Sequence, residues 1–188
     1  IYYGHMGKVS YSKGFFDEMQ ETNLSSARTV VPHVMRLVAP RSVVDIGCGR
    51  GLWLKAFLAA GVAEVQGYDG RYVERDTLVI PEKSFHPQDL EKPVAFSKTF
   101  DLAVCLEVAE HVPDSSADIL MESLTRAAPV VLFSAALPLQ GGSHHINEQW
   151  PAYWEKKFKA LGYVPVDAIR RHVWDDARVS FFYAQNIL

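Results

Sequence analysis

Apolar and polar residues follow two different rhythms along the chain. Four short runs rich in apolar residues predict strands, and the runs at 100–106 and 130–134 are apolar enough to be buried on both faces. The other two runs are residues 42–46 and 64–68. Between these runs, apolar side chains recur three or four positions apart, which predicts amphipathic helices. The predicted helices are residues 26–38, 52–60, 116–127 and 151–161.

Further elements complete this pattern. Ser25 or Ser26 is the predicted N-cap of the first helix, because a serine hydroxyl can accept a bond from an amide of the first turn. Residues 83–86 resemble a weak third strand, and residues 164–169 and 179–187 look like two final strands. Strands that alternate with helices predict a Rossmann-like α/β fold with a largely parallel sheet. Such sheets bind ligands beyond the carboxyl ends of their strands.

Composition narrows the classes of function. The chain has 188 residues, with 19 Lys and Arg against 22 Asp and Glu, and its net charge of −3 makes nucleic acid an unlikely partner. No apolar run approaches the roughly 20 residues that a membrane helix needs. Cys48 and Cys105 lie far apart, which fits a reducing, cytoplasmic setting. We expect one domain over residues 1–188, with residues 1–24 as an N-terminal extension or lid.

A glycine-rich turn follows the first predicted strand, and an acid follows the second. Gly47 and Gly49 would let a ligand approach the backbone, and the amides at the start of the next helix could bind an anionic group. Asp69 lies about 20 residues further on, where an acid can accept hydrogen bonds from both hydroxyls of a ribose. A dinucleotide-binding turn would need a third glycine where Leu52 stands, and Asp45 suits a cationic amino group better than a pyrophosphate.

With these features the sequence resembles the class I S-adenosylmethionine-dependent methyltransferases. Residues 43–51 look like the first motif of that family, residues 68–69 like the acid that ends its second strand, and residues 89–90 like its adenine-flanking pair. Residues 100–112 look like its fourth-strand motif. Residues 106–112 and 141–150 are similar to bacterial members of glycan or small-molecule pathways. The resemblance implies a seven-stranded sheet whose last strand is antiparallel.

The resemblance also implies roles for individual residues. Asp69 would hold the ribose hydroxyls, Asp89 the adenine amino group, and Leu90 would pack beside the adenine ring. Gly47 and Gly49 would line the methionine part of the cofactor, and Leu106 and Glu107 would close the floor of the pocket. Arg28 is a candidate partner for the cofactor carboxylate, with a solvated helix charge as the alternative. The full set of candidate cofactor-binding residues is Arg28, Asp45, Gly47, Cys48, Gly49, Asp69, Gly70, Asp89, Leu90, Leu106 and Glu107.

Methyl transfer to a hydroxyl calls for a general base near the cofactor. His111, His144 and His145 are the candidates, since all three are predicted at the same edge of the sheet. A divalent metal is the alternative, because Glu107, Glu110 and His111 recur at i, i+3 and i+4 and His145 could join them. The pattern is similar to that of metal-dependent small-RNA 2′-O-methyltransferases and of some ubiquinone-pathway O-methyltransferases. The same string also occurs in class I members that have no metal, and we favour the metal-free interpretation.

These residues predict S-adenosylmethionine-dependent methyl transfer, with an oxygen of a small molecule or sugar as the acceptor and a histidine as the general base. Two alternatives remain open: a metal-dependent RNA 2′-O-methyltransferase, and an adenosyl-binding module without catalysis. An NAD-dependent enzyme is disfavoured because of Leu52. The sequence leaves the acceptor and the oligomeric state undetermined.

Overall fold

The computed structural model describes the backbone of residues 13–188 and the side chains of residues 21–188. Its centre is a five-stranded sheet in which every pair of neighbouring strands is parallel, in the order β3-β2-β1-β4-β5. The strands are β1 (Ser42–Ile46), β2 (Glu64–Asp69), β3 (Phe85–Pro87), β4 (Leu102–Leu106) and β5 (Val131–Ser134). The Rossmann-like α/β prediction is therefore confirmed, including the short third strand.

Six α-helices accompany this sheet in the described part of the chain. They are α1 (Lys13–Val38), α2 (Leu52–Ala59), α3 (Asp114–Ala127), α4 (Pro151–Ala160), α5 (Arg170–Val173) and α6 (Phe181–Asn186). Short 3-10 turns lie at Arg75–Thr77, Glu82–Ser84 and Ala109–His111. None of the described helices is both long and apolar enough to cross a membrane.

The central strand β1 divides the apolar core in two. All its residues are buried, and successive side chains point to opposite faces of the sheet. Val43 packs with residues of α1, α2 and α6, whereas Val44 and Ile46 pack with residues of α3 and with Trp154 of α4. Helices on both faces explain why β1 and β4 read as continuous apolar runs.

The prediction of an N-cap at Ser25 or Ser26 is wrong, because α1 already begins at Lys13. The Ser26 hydroxyl instead donates to the Thr22 carbonyl one turn earlier, at 2.9 Å, and accepts a hydrogen bond from the Ser180 amide at 2.9 Å. Ser26 thus ties the middle of α1 to the start of α6. Residues 13–24 belong to the same helix, whereas residues 1–12 of the predicted extension or lid lie outside the described residues.

The predicted seven-stranded sheet with an antiparallel last strand is also wrong, because residues 164–169 and 179–187 do not form strands. In the second segment the buried positions are Val179, Tyr183, Ala184, Asn186 and Ile187. The last four lie four, five, seven and eight positions after Val179, as expected for one face of a helix. In the first segment Val164 and Val166 are largely exposed.

One trace of antiparallel pairing remains beside β5. Phe133 and Leu188 exchange both backbone hydrogen bonds, at 3.0 and 2.9 Å, as residues do in an antiparallel ladder. The residues before this contact, Phe181–Asn186, form α6 and not a strand.

Candidate active site at the carboxyl edge of the sheet

The turn after β1 has a backbone that only glycine tolerates. Gly47 has φ +90°, and a Cβ atom there would lie 2.3 Å from Cγ2 of Val108. The Gly47 amide donates to the carbonyl of Tyr68 at 2.8 Å, which fixes the turn to the end of β2. Gly49 has φ +53°, and no atom lies within 4 Å of the position its Cβ would occupy. The first glycine therefore serves packing, and the second leaves open space over the turn.

Asp69, at the end of β2, is held by three donors. Its Oδ2 accepts the Gly49 amide at 2.6 Å, and its Oδ1 accepts the Gly70 amide at 2.6 Å and the hydroxyl of Tyr72. The side chain is buried, and these bonds join the ends of β1 and β2. Burial and the neighbouring Asp69 carboxylate raise the pKa of Tyr72 far above its ordinary value, so the phenol remains a donor.

Asp45 and Cys48 lie beneath the same turn. Both are buried, and burial together with the Asp69 charge raises the pKa of Asp45 well above its ordinary value. Burial likewise raises the pKa of the Cys48 thiol, so this cysteine is not poised as a nucleophile. A Cβ atom on Gly67 would lie 2.6 Å from the Cys48 sulfur, so the thiol fills space against β2.

Glu107 follows Leu106 at the end of β4 and adopts a left-handed backbone with φ +55°. Its amide donates to the carbonyl of Ser134 on β5 at 3.1 Å, and its carboxylate accepts Nε2 of Gln140 at 3.1 Å and Nδ2 of Asn186 at 3.1 Å. Burial raises the pKa of Glu107, and the hydrogen bonds offset part of that rise. The end of β4 is thereby joined to the loop after β5 and to α6.

Glu110 is fully buried, and neither of its carboxylate oxygens has a hydrogen-bond partner that meets ordinary geometry among the described residues. Burial and the Glu107 charge raise the pKa of Glu110 to about 8, although the nearby backbone amides of Glu110 and Ala136 oppose the rise. A buried carboxyl without partners calls for a proton or a cation.

Two of the three predicted histidines lie beside Glu110. One ligand atom from each of Glu110, His111 and His145 falls within 4.8 Å of the others, and Nε2 of His145 is 4.0 Å from Oε1 of Glu110. Glu107, the fourth residue of the predicted metal set, is not part of this group, because its carboxylate is bound to Gln140 and Asn186.

The Nδ1 atoms of both histidine rings lie within hydrogen-bond distance of an oxygen. Nδ1 of His145 is 2.8 Å from Oε1 of Glu148, and Nδ1 of His111 is 3.2 Å from the backbone carbonyl of His144. These contacts leave each Nε2 for a ligand or a proton, the usual arrangement of histidines at metal and general-base sites. Burial lowers the pKa of His111, which keeps its ring neutral near pH 7. The side chain of His144 is exposed, and its carbonyl makes the contact.

Other predicted residues are more peripheral. Asp89 is exposed and paired with Lys92 at 3.0 Å, while Leu90 packs against the apolar core. The amide of Gln88 donates to the Asp69 carbonyl at 2.7 Å, so this loop begins next to the end of β2.

Arg28 lies on α1 and shares a cavity wall with Leu52, the residue that follows the glycine turn. It lines a cavity of about 610 Å³ with Leu52, Lys55 and Arg178, and the cavity wall includes neither the glycine turn nor Asp69. None of the other predicted cofactor residues lines this cavity.

Three residues that the sequence analysis does not single out belong to the edge. Tyr72 contacts Asp69, Gln140 contacts Glu107, and Glu148 contacts His145. Tyr72 stands three positions after Asp69 and Glu148 three after His145, a spacing that offers a local signal. Gln140 has none, because its partner lies 33 residues earlier in the chain.

The edge as a whole is rich in acidic residues. Asp45, Asp69, Glu107 and Glu110 all act on the pKa of Cys105, which lies on β4 between them. In the part of the chain that the structure describes, no lysine or arginine forms an ion pair with any of these four carboxylates. A site of this charge favours a cationic ligand and disfavours a pyrophosphate.

A Rossmann-like sheet, a glycine turn and an acid at the end of β2 define a nucleotide-type site of the class I methyltransferase kind. A family model described as a methyltransferase domain matches residues 19–175. The chain belongs to this family, the S-adenosylmethionine-dependent methyltransferases.

Comparisons with individual proteins support the family. Over 105 residues the chain is 34% identical to a ubiquinone biosynthesis O-methyltransferase of Methylobacterium sp. (strain 4-46), a match that covers 53% of this chain and 41% of that protein. The chain spans less than half the length of the curated relatives it matches.

Solved structures share the fold. The methyltransferase domain of bacterial CtHen1 superposes with a TM-score of 0.60 at 22% identity, over 76% of this chain and 87% of that one. The amino pentose methyltransferase CalS10 of Micromonospora echinaspora, solved with S-adenosylmethionine bound, superposes with a TM-score of 0.55 at 16% identity, over 71% and 61%. At these identities the likeness concerns the fold alone.

Proposed function

We propose that this chain binds S-adenosylmethionine at the carboxyl edge of its sheet and transfers the methyl group to an oxygen of a small molecule or sugar. The observation that carries the proposal is the acidic edge, where Asp69 adjoins a glycine turn and no lysine or arginine of the described residues pairs with the four acids. S-adenosylmethionine has a ribose with two hydroxyl donors and carries positive charge on its sulfonium and ammonium groups. Those features complement the edge.

The residues present fit that ligand in two respects. Asp69 accepts from ribose hydroxyls in this proposal, and the open space over Gly49 admits the ligand close to the backbone. Asp45, which is buried, and Glu107, which is partly buried, are the acids that would face a sulfonium or ammonium group in this proposal, and a nearby cation would favour their ionised forms. Asp89 and Leu90 are proposed at the adenine end, next to the loop that is bonded to Asp69.

When bound, S-adenosylmethionine supplies an activated methyl group whose departure leaves a neutral thioether. The protein must hold an acceptor hydroxyl in line with the methyl–sulfur bond and remove its proton as the new carbon–oxygen bond forms. His145 suits that role, since Glu148 holds its Nδ1 and would stabilise the ring once Nε2 has taken the proton. His111 is the second candidate, with a neutral ring and its Nδ1 held by the His144 carbonyl.

The second candidate function is binding of a divalent cation by Glu110, His111 and His145. The observation that favours it is the unpartnered, buried carboxylate of Glu110 beside two imidazoles whose Nδ1 atoms are held. One carboxylate and two imidazoles suit several divalent metals and leave positions open for acceptor oxygens. In this arrangement the cation would lower the pKa of the acceptor hydroxyl, and His145 would be a ligand rather than a base.

Calorimetric titration with S-adenosylhomocysteine, with and without Mg²⁺ or Mn²⁺, tests both ideas. For a methyltransferase site we expect S-adenosylhomocysteine to bind with micromolar affinity and NAD not to bind. A folded chain that does not bind S-adenosylhomocysteine contradicts the proposal. A separate titration with Mn²⁺ alone addresses the cation. Mn²⁺ binding that is lost in His145→Gln and kept in His144→Gln supports the three-ligand site, because the His144 side chain is exposed.

A further inference from the structure

The carboxylate proposed to hold the ribose is already engaged by the side chain of Tyr72. Oδ1 of Asp69 accepts both the Gly70 amide and the Tyr72 hydroxyl, and Oδ2 accepts the Gly49 amide. A carboxylate offers about four positions for hydrogen-bond donors. Three are taken, so a ribose that donates from two hydroxyls needs one of the three donors to leave.

The three donors differ in how easily they can leave. The amides of Gly49 and Gly70 belong to the backbone at the ends of β1 and β2, and the Gly49 turn is tied to Tyr68 by two further backbone bonds. Tyr72 is 45% exposed and follows the strand in a segment whose nearest regular element is the short turn Arg75–Thr77. A rotation of the Tyr72 side chain into solvent breaks one side-chain hydrogen bond and leaves the backbone in place.

The ring of Tyr72 also covers the backbone next to Asp69. A Cβ atom on Gly70 would lie 2.1 Å from Cε1 of Tyr72, so the ring rests directly on the glycine. Gly70 is the residue that allows this contact, and the ring stands where a ligand on Asp69 would approach. A group that approached the Asp69 carboxylate over Gly70 would therefore meet the hydroxyl and the ring of Tyr72.

We propose that Tyr72 competes with the cofactor ribose for Asp69 and thereby sets the affinity of the site for its adenosyl ligand. The inference rests on the proposed function, specifically on the assignment of Asp69 to the ribose. Tyr72 acts as a positioning residue: it holds the Asp69 carboxylate in its binding orientation and yields its place to the ligand. The apparent dissociation constant is then the intrinsic one divided by the fraction of chains in which Tyr72 has moved away.

Tyr72→Phe removes the hydroxyl and keeps the ring, so it tests the competition directly. We expect S-adenosylhomocysteine to bind about three- to thirtyfold more tightly, since a hydrogen bond to a charged acceptor is lost from the competing state only. Stopped-flow measurements should place the gain in the association rate, with the dissociation rate unchanged within about twofold. A role of Tyr72 confined to folding would not shift these two rates in this way.

A matched control exists between α3 and α4. The hydroxyl of Tyr153 on α4 donates to the carboxylate of Asp114 on α3, a pair of the same chemistry away from the glycine turn. Tyr153→Phe should leave both rate constants unchanged, so that an effect of Tyr72→Phe is not a general consequence of losing a tyrosine–aspartate bond.

The possible failures are distinguishable. If Asp69→Asn abolishes binding of S-adenosylhomocysteine while Tyr72→Phe leaves it equal or weaker, the competition is refuted and the cofactor assignment stands. Weaker binding in Tyr72→Phe would mean that the hydroxyl contacts the ligand. If neither the parent chain nor Tyr72→Phe binds S-adenosylhomocysteine, the proposed function fails and this inference with it.

Discussion

The carboxyl edge of the sheet has two halves, one at the ends of β1 and β2 and one at the ends of β4 and β5. The buried acids of the two halves differ in their hydrogen bonding. At the ends of β1 and β2, Asp69 accepts three hydrogen bonds, two of them from backbone amides. Near the ends of β4 and β5, Glu110 is equally buried, yet its oxygens have no hydrogen-bond partner among the described residues and its pKa is raised to about 8. The first half is organised by the backbone of the turn, and the second by side chains that meet across loops.

This difference suggests a division of labour within the proposed site. A carboxylate fixed by backbone amides keeps its orientation, which suits repeated binding of one invariant group such as a ribose. A carboxyl without partners responds to whatever proton or cation reaches it, which suits the chemical step. The four predictions below test the contrast, from the largest expected effect to the smallest.

Gly47→Ala should destabilise the protein by disrupting the turn between β1 and α2, which belongs to the first half of the edge. The substitution adds a methyl group 2.3 Å from Val108 Cγ2 at a φ of +90°, so we expect a loss of about 4 kcal/mol in the free energy of unfolding in urea. Gly61→Ala is the control, because its φ is +97° with no atom within 4 Å, and it should cost only about 1–2 kcal/mol. Equal losses would mean that contact with Val108 is unimportant.

Glu110→Gln should change how the stability of the protein depends on pH, which tests the raised pKa of Glu110 in the second half of the edge. The unfolded carboxyl loses its proton near its ordinary value of 4.5, whereas the folded one keeps it to about 8, so the folded state holds more protons in this window. Stability therefore falls as pH rises from about 4.5 to 8, and the variant should escape roughly 3 kcal/mol of that fall.

Urea denaturation of both proteins at pH 5 and pH 8.5 measures this difference. A stability difference between the parent chain and Glu110→Gln that is the same at both pH values would contradict the raised pKa. Added Mn²⁺ should reduce the difference at pH 8.5 if the cluster binds a cation, because a cation stabilises the ionised carboxylate.

Asp69→Asn tests the first half by removing charge with little change in shape. The loss of a charge-assisted contact should weaken binding of S-adenosylhomocysteine about 10- to 100-fold in calorimetry. Asp101→Asn is a matched control, since Asp101 also caps two backbone amides, of Arg41 and Ser42, at 2.8 and 2.9 Å. It lies at the start of β4, on the opposite edge of the sheet, so the affinity should stay unchanged. A similar loss in both variants would point to general destabilisation.

Glu148→Gln should have the smallest effect, because Glu148 acts through His145. Loss of the carboxylate on Nδ1 should lower the basicity of Nε2 and reduce turnover, or Mn²⁺ affinity, by about tenfold. The affinity for S-adenosylhomocysteine should not change. A change in that affinity with Mn²⁺ binding and turnover intact would place Glu148 in the cofactor half instead.

The central strands and the glycine turn were predictable because their signals are local. Residues 42–46 are predicted and observed as a strand, and Gly47 must be glycine at its φ in any sequence that makes this turn. The third strand was also correctly placed near residues 83–86, although it runs from Phe85 to Pro87.

The C-terminal part misled the sequence analysis. Residues 179–187 contain neighbouring aromatic residues that favour a strand, yet the buried positions follow a helical period. α6 packs against α5 and β5, and Ser26 of α1 binds its start at Ser180, and these tertiary contacts are not visible in local propensity. The same packing delivers Asn186 to Glu107, a contact between residues 79 positions apart.

The sequence by itself determined the parallel sheet, the glycine turn with its acid and the family, since each depends on residue types at fixed short spacings. The tertiary structure decided which side chains meet: Glu110 with His111 and His145, Glu107 with Gln140 and Asn186, and the count of five strands. Spacing along one helix or turn predicted Glu107 as a metal ligand. Partners from a distant loop and helix give its carboxylate hydrogen bonds that a local pattern cannot anticipate, because the free energy of each such contact depends on the packing that brings the segments together.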